Sequence, residues 1–205
     1  MELLLIRHGL PVRRELAVGV ADPELAPDGL AQAAHLGTYL AEERLDAVYA
    51  SSLQRARQTA APLLTNRDLD LLIEPDVAEF DKDSSEYVPV EELRATNDPR
   101  WQAMVDGTWE AGEDAIEFRG RTIAAIERIV GEHRGGRAAI VCHGGVINAY
   151  CSHVLGIDSD QRGFFYPNYT SINRVIASST GARSVVTLNE TAHLRGTGLP
   201  MGLHQ

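Results

Sequence analysis

Cysteine, long apolar runs and positive charge are all scarce in this chain of 205 residues. The two cysteines, Cys142 and Cys151, are not in CxxC spacing, so nothing in the sequence suggests a disulfide scaffold. No apolar run approaches the roughly 18 residues that a membrane-spanning helix needs. The first residues also lack the basic region and cleavage site of a signal peptide. We therefore expect a cytoplasmic protein in a reducing setting, with no membrane partner.

Positive charge is outnumbered, since Lys and Arg total 19 against 29 Asp and Glu, which gives a net charge of -10. This balance argues against a general nucleic-acid binder, because such proteins usually carry a basic surface. It does not exclude a local cluster of arginines inside a pocket. The hydrophobic fraction of 44% is ordinary for a globular protein, and the chain is long enough to bury one sizeable core. We find no internal repeat or linker and expect one domain over 1–205.

Short apolar runs alternate with segments of helical periodicity along the chain. The runs predict strands, and apolar residues three and four apart predict helices between them. Pro27 suits the first position of the first helix, and Ser51 or Ser52 is predicted to cap the second. This alternation indicates an α/β fold with a largely parallel sheet. The predicted strands are ELLLIRH, DAVYASS, LDLLIEP, RAAIVCH, SINRVIAS and RSVVTLNE; the predicted helices are LAPDGLAQAAHLGTYLAEERL, SLQRARQTAAPLL, AIEFRGRTIAAIERIVGEH and GGVINAYCSHVLG, with broken helical pieces over 86–108.

Polar side chains follow four of the predicted strands, near the point where each strand ends. In open α/β sheets, binding sites form beyond the carboxyl ends of the strands. Residues from four separate segments are therefore expected on one edge of the sheet, and this convergence is more informative than any single residue. The first strand ends in Arg7 and His8, the second in Ser51 and Ser52 with Arg55 one helical turn on, the third leads to Glu79, and the fourth ends in His143, Gly144 and Gly145.

Two arginines, two histidines and a carboxylate are the groups that phosphoryl transfer through a covalent histidine requires. Two guanidinium groups can bind the oxygens of a phosphate monoester in fork geometry. One histidine must be neutral to attack phosphorus, and neighbouring arginines lower its pKa. The second can donate to a phosphate oxygen in the transition state. A carboxylic acid protonates the departing alkoxide and then acts as base for the attacking water. This chemistry requires no metal and no cofactor.

Three segments, LIRHG, SSLQRARQTA and VCHGGVI, resemble the signature segments of the histidine phosphatase superfamily, in its phosphoglycerate mutase-like branch 1. Two further segments, DPELAPDGLAQA and GEDAIEFRGRTIAAI, are similar to family segments in the same order. The resemblance implies a three-layer sandwich in which helices flank a mainly parallel mixed sheet. It also implies that residues 76–112 cover the pocket, and a homodimer is a family-level expectation.

The resemblance assigns a role to each matching residue. His8 becomes the phosphorylated nucleophile, and His143 becomes the second histidine of the pocket. Arg7 and Arg55 become phosphate ligands, and Glu79 matches the place of the proton donor. Further contacts to the substrate are expected from Gly144, Ser51 and Arg13.

Three departures from the family pattern bear on the activity. Many members follow the arginine–histidine–glycine triplet with Glu or Gln and then Thr, where this chain has Leu10 and Pro11. The mutases also resemble one another in an Asn soon afterwards, and LPVRRELAVGV contains none. These differences favour a phosphatase over a mutase. After Glu79 the chain reads FDKDSSEY, which also departs from the pattern, so Asp81 and Asp83 stay open as alternative proton donors.

The sequence therefore predicts a metal-independent phosphatase that hydrolyses a small phosphomonoester through a phosphohistidine on His8. A cofactor-dependent phosphoglycerate mutase is the nearest alternative, and a non-catalytic phosphate-binding or regulatory relative is the second. The acidic covering region is hypothesised to penalise substrates with several anionic groups, by like-charge repulsion. Two segments stay open: PNYTSINRV is either a pocket edge or a loop entering a strand, and the tail LRGTGLPMGLHQ is either a frayed terminus or a flap.

Overall fold

The first strand, β1 (Glu2–Arg7), lies inside the main sheet and is buried on both faces. A computed structural model describes residues 1–106, 112–157 and 163–203 of the chain. Leu3, Leu4, Leu5 and Ile6 are fully buried. A continuous apolar run of this kind is typical of a strand covered on both sides by helices. The strand pairs in parallel with β6 (Arg137–Cys142) and antiparallel with β7 (Ile172–Ala177). Its apolar side chains belong to two separate cores, one on each face of the sheet.

The main sheet has six strands in the order β4-β3-β6-β1-β7-β8, and β7 is the strand that runs against its neighbours. The predicted mainly parallel mixed sheet is therefore confirmed. Every predicted strand is present, although the third is shorter than its apolar run. The remaining strands of this sheet are β3 (Ala47–Ala50), β4 (Leu71–Ile73), β6 (Arg137–Cys142), β7 (Ile172–Ala177) and β8 (Arg183–Glu190).

Helices cover both faces of the sheet, which gives the three layers that the family resemblance implies. On one face, Leu4 and Ile6 pack with apolar residues of α1 and α2. On the other face, Leu3 and Leu5 pack with α5 and α6. The alternation of neighbouring side chains between two faces of a strand produces this division. These helices are α1 (Pro27–Tyr39), α2 (Gln54–Ala60), α5 (Ala115–Glu132) and α6 (Gly144–Leu155).

The start of α2 differs from the prediction. Neither Ser51 nor Ser52 caps it; the N-cap position is Leu53, and no side chain there accepts a hydrogen bond. The backbone N–H of Gln54 donates instead to Asp22 Oδ1 at 2.8 Å, from a distant loop. The free backbone donors of a helix start can be satisfied by any nearby acceptor, so the local pattern of serines was misleading.

A second, two-stranded sheet pairs β2 (Arg14–Glu15) with β5 (Glu86–Tyr87), and no sequence pattern predicted it. After β5 come α3 (Val90–Ala95) and α4 (Pro99–Val105), with the predicted break between them. We call residues 80–105 the roof, because their side chains close one side of the cleft described below. Residues 107–111 of the predicted covering region lie outside the described residues.

The C-terminal tail is docked over its described residues. Met201 accepts a hydrogen bond from the backbone N–H of Tyr169 at 3.0 Å, and the carbonyl of Leu203 accepts one from Arg94 of the roof at 3.1 Å. The tail therefore joins the core to the roof. Within the described residues, none of the helices combines the length and apolar character that crossing a membrane would require.

Candidate active site

The carboxyl ends of β1, β3 and β6 meet at one edge of the sheet, which we call the carboxyl edge. A cleft of about 210 Å³ opens there between this edge and the roof. Five of the predicted site residues line the cleft: Arg7, His8, Arg55, Glu79 and Gly144. Parallel strands in register bring these distant segments together, as the sequence predicted.

His8 is held in one tautomer by the backbone. Its side chain is 3% exposed, and ring Nδ1 lies 2.7 Å from the carbonyl oxygen of Gly9. Because a carbonyl oxygen can only accept, Nδ1 carries the proton and Nε2 keeps the lone pair. Burial, reinforced by the charges of Arg55 and Arg7, lowers the pKa of His8 well below its ordinary value. The imidazole is therefore neutral and nucleophilic at Nε2.

Gly9 is required for space. A β-carbon there would lie 2.7 Å from the carbonyl oxygen of Gly29 in α1, and a β-carbon on Gly29 would in turn collide with the carbonyl of Leu10. The N–H of Gly9 donates to Thr59 Oγ1 at 2.9 Å. This close contact with α1 and α2 fixes the backbone that orients His8.

The two arginines are buried on aromatic faces. The guanidinium carbon of Arg7 lies 4.2 Å from the ring centre of Tyr169, and Nη1 donates to the Pro167 carbonyl at 2.7 Å. Arg55, which is 1% exposed, lies 4.7 Å from the ring centre of Tyr87. The Nε atoms of both arginines are buried without a hydrogen-bond partner. Buried donors are normally satisfied, so this pair indicates a site for an anion.

His143 faces His8 across the edge, with 5.1 Å between the ring centres. Its Nε2 lies 2.8 Å from Ser51 Oγ, which already accepts the backbone N–H of Leu53 at 3.2 Å. The hydroxyl of Ser51 can donate its proton to Nε2, an arrangement in which the His143 proton lies on Nδ1. That Nδ1 is buried without a partner. Burial, with the nearby charges, lowers the pKa of His143 well below its ordinary value, so it too is neutral.

Glu79 reaches the cleft from the loop after β4. Its Oε2 accepts the N–H of Gly145 at 2.9 Å, at the start of α6. Burial and the neighbouring Asp81 raise its pKa to about 7. A carboxyl group with this pKa can donate a proton near neutral pH and take it back, which is what an acid–base catalyst must do. Any side chain at Gly145 would collide with this carboxylate.

The alternative proton donors are placed differently from Glu79. Asp81 lines the cleft and lies 3.4 Å from Nη2 of Arg55, and burial raises its pKa. Asp83 has 79% of its side chain exposed and pairs with Lys82. Of these two carboxylates, Asp81 is therefore the one that shares the cleft with Glu79.

Three predicted site residues are not among the residues that line the cleft: His143, whose setting is described above, Ser51 and Arg13. Ser51 is fully buried behind His143. Arg13 is half-exposed and pairs with Glu15 and Glu92. A substrate contact by Arg13 would require it to leave these carboxylates.

Sequence reasoning missed the tyrosines whose rings lie against the guanidinium groups of Arg7 and Arg55. Tyr87 comes from β5, and Tyr166 and Tyr169 come from the loop before β7. For the segment PNYTSINRV the sequence leaves open a pocket edge or a loop entering a strand, and Pro167 of this segment lines the cleft. No spacing rule links positions 7, 55 and 87, so the stacking itself left no signal in the sequence. Arg100 of the roof also lines the cleft and was not anticipated.

Comparison with known proteins agrees with this geometry. The family model of the histidine phosphatase superfamily (branch 1) matches residues 3–191. Phosphoserine phosphatase 1 of Hydrogenobacter thermophilus is 26% identical over 95% of this chain and 94% of its own length. A probable phosphoglycerate mutase of Erwinia tasmaniensis is 25% identical over 97% of both chains. A mutant phosphoserine phosphatase of Entamoeba histolytica, solved with phosphoserine, superposes with a TM-score of 0.73 at 21% identity, covering 94% of this chain and 98% of its own.

The chain belongs to the histidine phosphatase superfamily, branch 1. The predicted recognition is confirmed, and so is the prediction of a phosphatase, a hydrolase of phosphomonoesters.

Proposed function

We propose that this chain hydrolyses a small phosphomonoester without a metal, through a covalent phosphohistidine on His8. The observation that carries the proposal is the setting of His8: a neutral imidazole with its lone pair at Nε2, between two buried guanidinium groups whose Nε donors have no partner. A phosphate dianion supplies acceptors for those donors.

In the first step, Nε2 of His8 attacks phosphorus in line with the ester oxygen. The N–P bond forms as the P–O ester bond breaks, and Glu79 gives its proton to the departing alkoxide. Arg7 and Arg55 bind the non-bridging oxygens, and Nδ1–H of His143 donates to one of them as charge builds up. The leaving group departs as a neutral alcohol.

In the second step, water attacks the phosphohistidine. The Glu79 carboxylate takes a proton from this water, the O–P bond forms and the N–P bond breaks. The electron pair of that bond returns to Nε2 of His8. Inorganic phosphate leaves, and the enzyme regains a protonated Glu79 and a neutral His8.

The alternatives differ from this cycle in one step each. A mutase would return the phosphoryl group to an acceptor, and the absence of an Asn in LPVRRELAVGV favours transfer to water instead. A non-catalytic relative would lack the acid, whereas Glu79 lies in the cleft with a pKa of about 7. The named relatives make phosphoserine a substrate to assay first. A homodimer and a cytoplasmic location stay predictions from the sequence.

Released phosphate and isomerised product, measured over a panel of phosphomonoesters, test the proposal. The panel includes phosphoserine, and 3-phosphoglycerate with and without 2,3-bisphosphoglycerate. We expect free phosphate to dominate, and His8→Ala to lower kcat by at least about 10⁴-fold, as loss of a nucleophile does in other enzymes. His153→Ala, an exposed histidine, is the matched control. Dominant isomerisation would favour the mutase, and silence across the panel would favour the binding protein.

A further inference from the structure

We propose that the cleft selects phosphomonoesters whose leaving group carries no second anion and presents an apolar face. This inference rests on the proposed function and adds the class of substrate to it. It depends on the roof, which forms the part of the cleft that a leaving group reaches beyond the phosphate site.

Three arginines line the described part of the cleft: Arg7 and Arg55 beside His8, and Arg100 in the roof. Arg100 is the cation that could receive a carboxylate of the leaving group. Its Nε and Nη2 atoms, however, both donate to Asp98, at 2.9 and 2.8 Å. Its Nη1 atom donates to Glu86 at 2.9 Å. One guanidinium therefore donates to two carboxylates. Arg100, Asp98 and Glu86 together carry a net negative charge.

Glu86 places this negative charge at the cleft, because Glu86 is one of the residues that line it. It is 45% exposed and so faces the space that a leaving group enters. A substrate carboxylate would have to displace Glu86 from Arg100 or lie beside it. Discrimination of this kind uses like-charge repulsion against the wrong ligand.

Asn148, the amide side chain in the described lining, is also engaged. Asn148 accepts the N–H groups of Phe164 and Phe165 through Oδ1, at 2.9 and 3.2 Å. Its Nδ2 donates to the carbonyls of Gly144 and Phe165. Three of these bonds hold Phe164 and Phe165 against α6 and the fourth goes to Gly144 within α6, so no hydrogen-bonding position of this amide is left to bind a carboxylate.

Apart from Ser84 and the tyrosines Tyr87 and Tyr166, the rest of the described lining is apolar. Val88, Val90, Leu93 and Met104 line the roof side, and Phe165 lines the opposite side. Ligand pockets combine apolar walls with a few polar groups that fix orientation. The unpartnered donors of the described lining lie at the phosphate site: the Nε atoms of Arg7 and Arg55, and the hydroxyl of Tyr166, whose ring centre is 4.9 Å from the Arg7 guanidinium carbon. The apolar part of the wall is therefore left to contact an uncharged leaving group.

Matched pairs of substrates test this inference. Glycerol 3-phosphate and 3-phosphoglycerate share a three-carbon skeleton and differ by a carboxylate; phosphoethanolamine and phosphoserine differ in the same way. We expect kcat/KM to be at least about tenfold higher for the member without the carboxylate. We expect kcat/KM for phenyl phosphate to be higher than for glycerol 3-phosphate and 3-phosphoglycerate.

The variant Glu86→Gln keeps the shape of the side chain and removes its charge. We expect it to raise kcat/KM for 3-phosphoglycerate several-fold, mainly through KM, and to leave glycerol 3-phosphate within twofold. Glu92→Gln is the matched control, since Glu92 lies in α3 of the same roof, pairs with Arg13 and is not among the lining residues.

Equal or better turnover of the carboxylate-bearing members, or an unchanged ratio in Glu86→Gln, would overturn the inference. Binding to His8→Ala, followed by calorimetry, separates it from the proposed function. A preference of this variant for glycerol 3-phosphate over 3-phosphoglycerate would support the selectivity even if wild-type protein released no phosphate; the reverse preference would refute it.

Discussion

The two ends of β1 hold arginines in opposite electrostatic settings. At the carboxyl edge, Arg7 has no carboxylate partner among the described residues and lies on tyrosine rings. At the other end, which we call the amino edge, Arg174 of β7 bonds to Glu2 at 3.0 Å, to Glu43 at 2.6 Å and to Glu190 at 3.1 Å. Arg174 therefore has three carboxylate partners near one end of this six-residue strand, whereas Arg7, within the described part of the chain, has none at the other end.

This difference separates two uses of a buried cation. A saturated guanidinium joins elements of the fold, because each carboxylate comes from a different part of the chain. An unsaturated one must be held by groups that leave its charge available, such as ring faces and a backbone carbonyl. We therefore expect changes at the carboxyl edge to alter catalysis with little effect on stability, and changes at the amino edge to do the reverse.

Apart from loss of the nucleophile His8, Glu79→Gln gives the largest expected effect at the carboxyl edge. We expect kcat to fall about 10²- to 10⁴-fold, the usual contribution of a general acid, while the free energy of unfolding stays the same or rises. In wild-type protein the carboxyl is protonated below its pKa of about 7, so kcat/KM should hold below that pH and decline above it. This decline should vanish in the variant. Stopped assays across pH, with urea unfolding alongside, measure both quantities.

Asp81→Asn and Asp83→Asn are the comparison variants for Glu79→Gln. Asp83→Asn should leave activity unchanged, because this side chain is exposed and pairs with Lys82. If Asp81→Asn removed the alkaline decline while Glu79→Gln kept it, the proton donor would be Asp81.

Arg174→Met tests the amino edge. We expect the free energy of unfolding to fall by about 2 kcal/mol, because three partly buried carboxylates lose a shared partner. This change is about thirtyfold in the folding equilibrium. The folded fraction should keep kcat/KM within twofold. Arg44→Met is the control: its side chain is 85% exposed and pairs with Asp46, and an exposed pair of this kind contributes less than about 1 kcal/mol. A large loss of kcat/KM in Arg174→Met would remove the distinction between the edges.

Ser51→Ala gives the smallest expected effect and refines the picture of the carboxyl edge. Loss of one neutral hydrogen bond should lower kcat by up to about tenfold, since such a bond contributes roughly 0.5–1.5 kcal/mol. The nitrogen chemical shifts of His143 should also change, because Ser51 no longer places its proton on Nδ1. Ser52→Ala, an exposed neighbour, should change neither. Unchanged shifts in Ser51→Ala would show that Ser51 does not set the tautomer.

Elements with a strong local signal were predicted well. The run Leu3–Ile6 is a buried strand as predicted, and Gly156, in a left-handed conformation, is the C-cap of α6 and the last residue of the predicted helix GGVINAYCSHVLG. The meeting of Arg7, His8 and His143 followed from one rule about the carboxyl ends of parallel strands. Agreement in these places reflects patterns local to each strand or helix, combined with one general rule about where parallel strands end.

Features built from distant pairs were not predictable. The ribbon of β2 and β5 has two residues in each strand, too few for any periodicity. The stacking of Arg55 on Tyr87 joins positions with no shared local pattern. The cap from Asp22 to Gln54 replaced the local serines for the same reason. Each of these contacts depends on the completed fold rather than on neighbouring residues.

The contact between Gly9 and Gly29 has a consequence for protein engineering. Gly9 leaves room for the backbone carbonyl of Gly29, and Gly29 leaves room for the backbone of Leu10, so both positions must stay glycine for the two segments to meet although they are far apart in the chain. A library that varies either position alone will discard the members that gain a side chain, however favourable their other changes are. Redesign of the segment that follows His8 must therefore begin at the first turn of α1, where Gly29 lies.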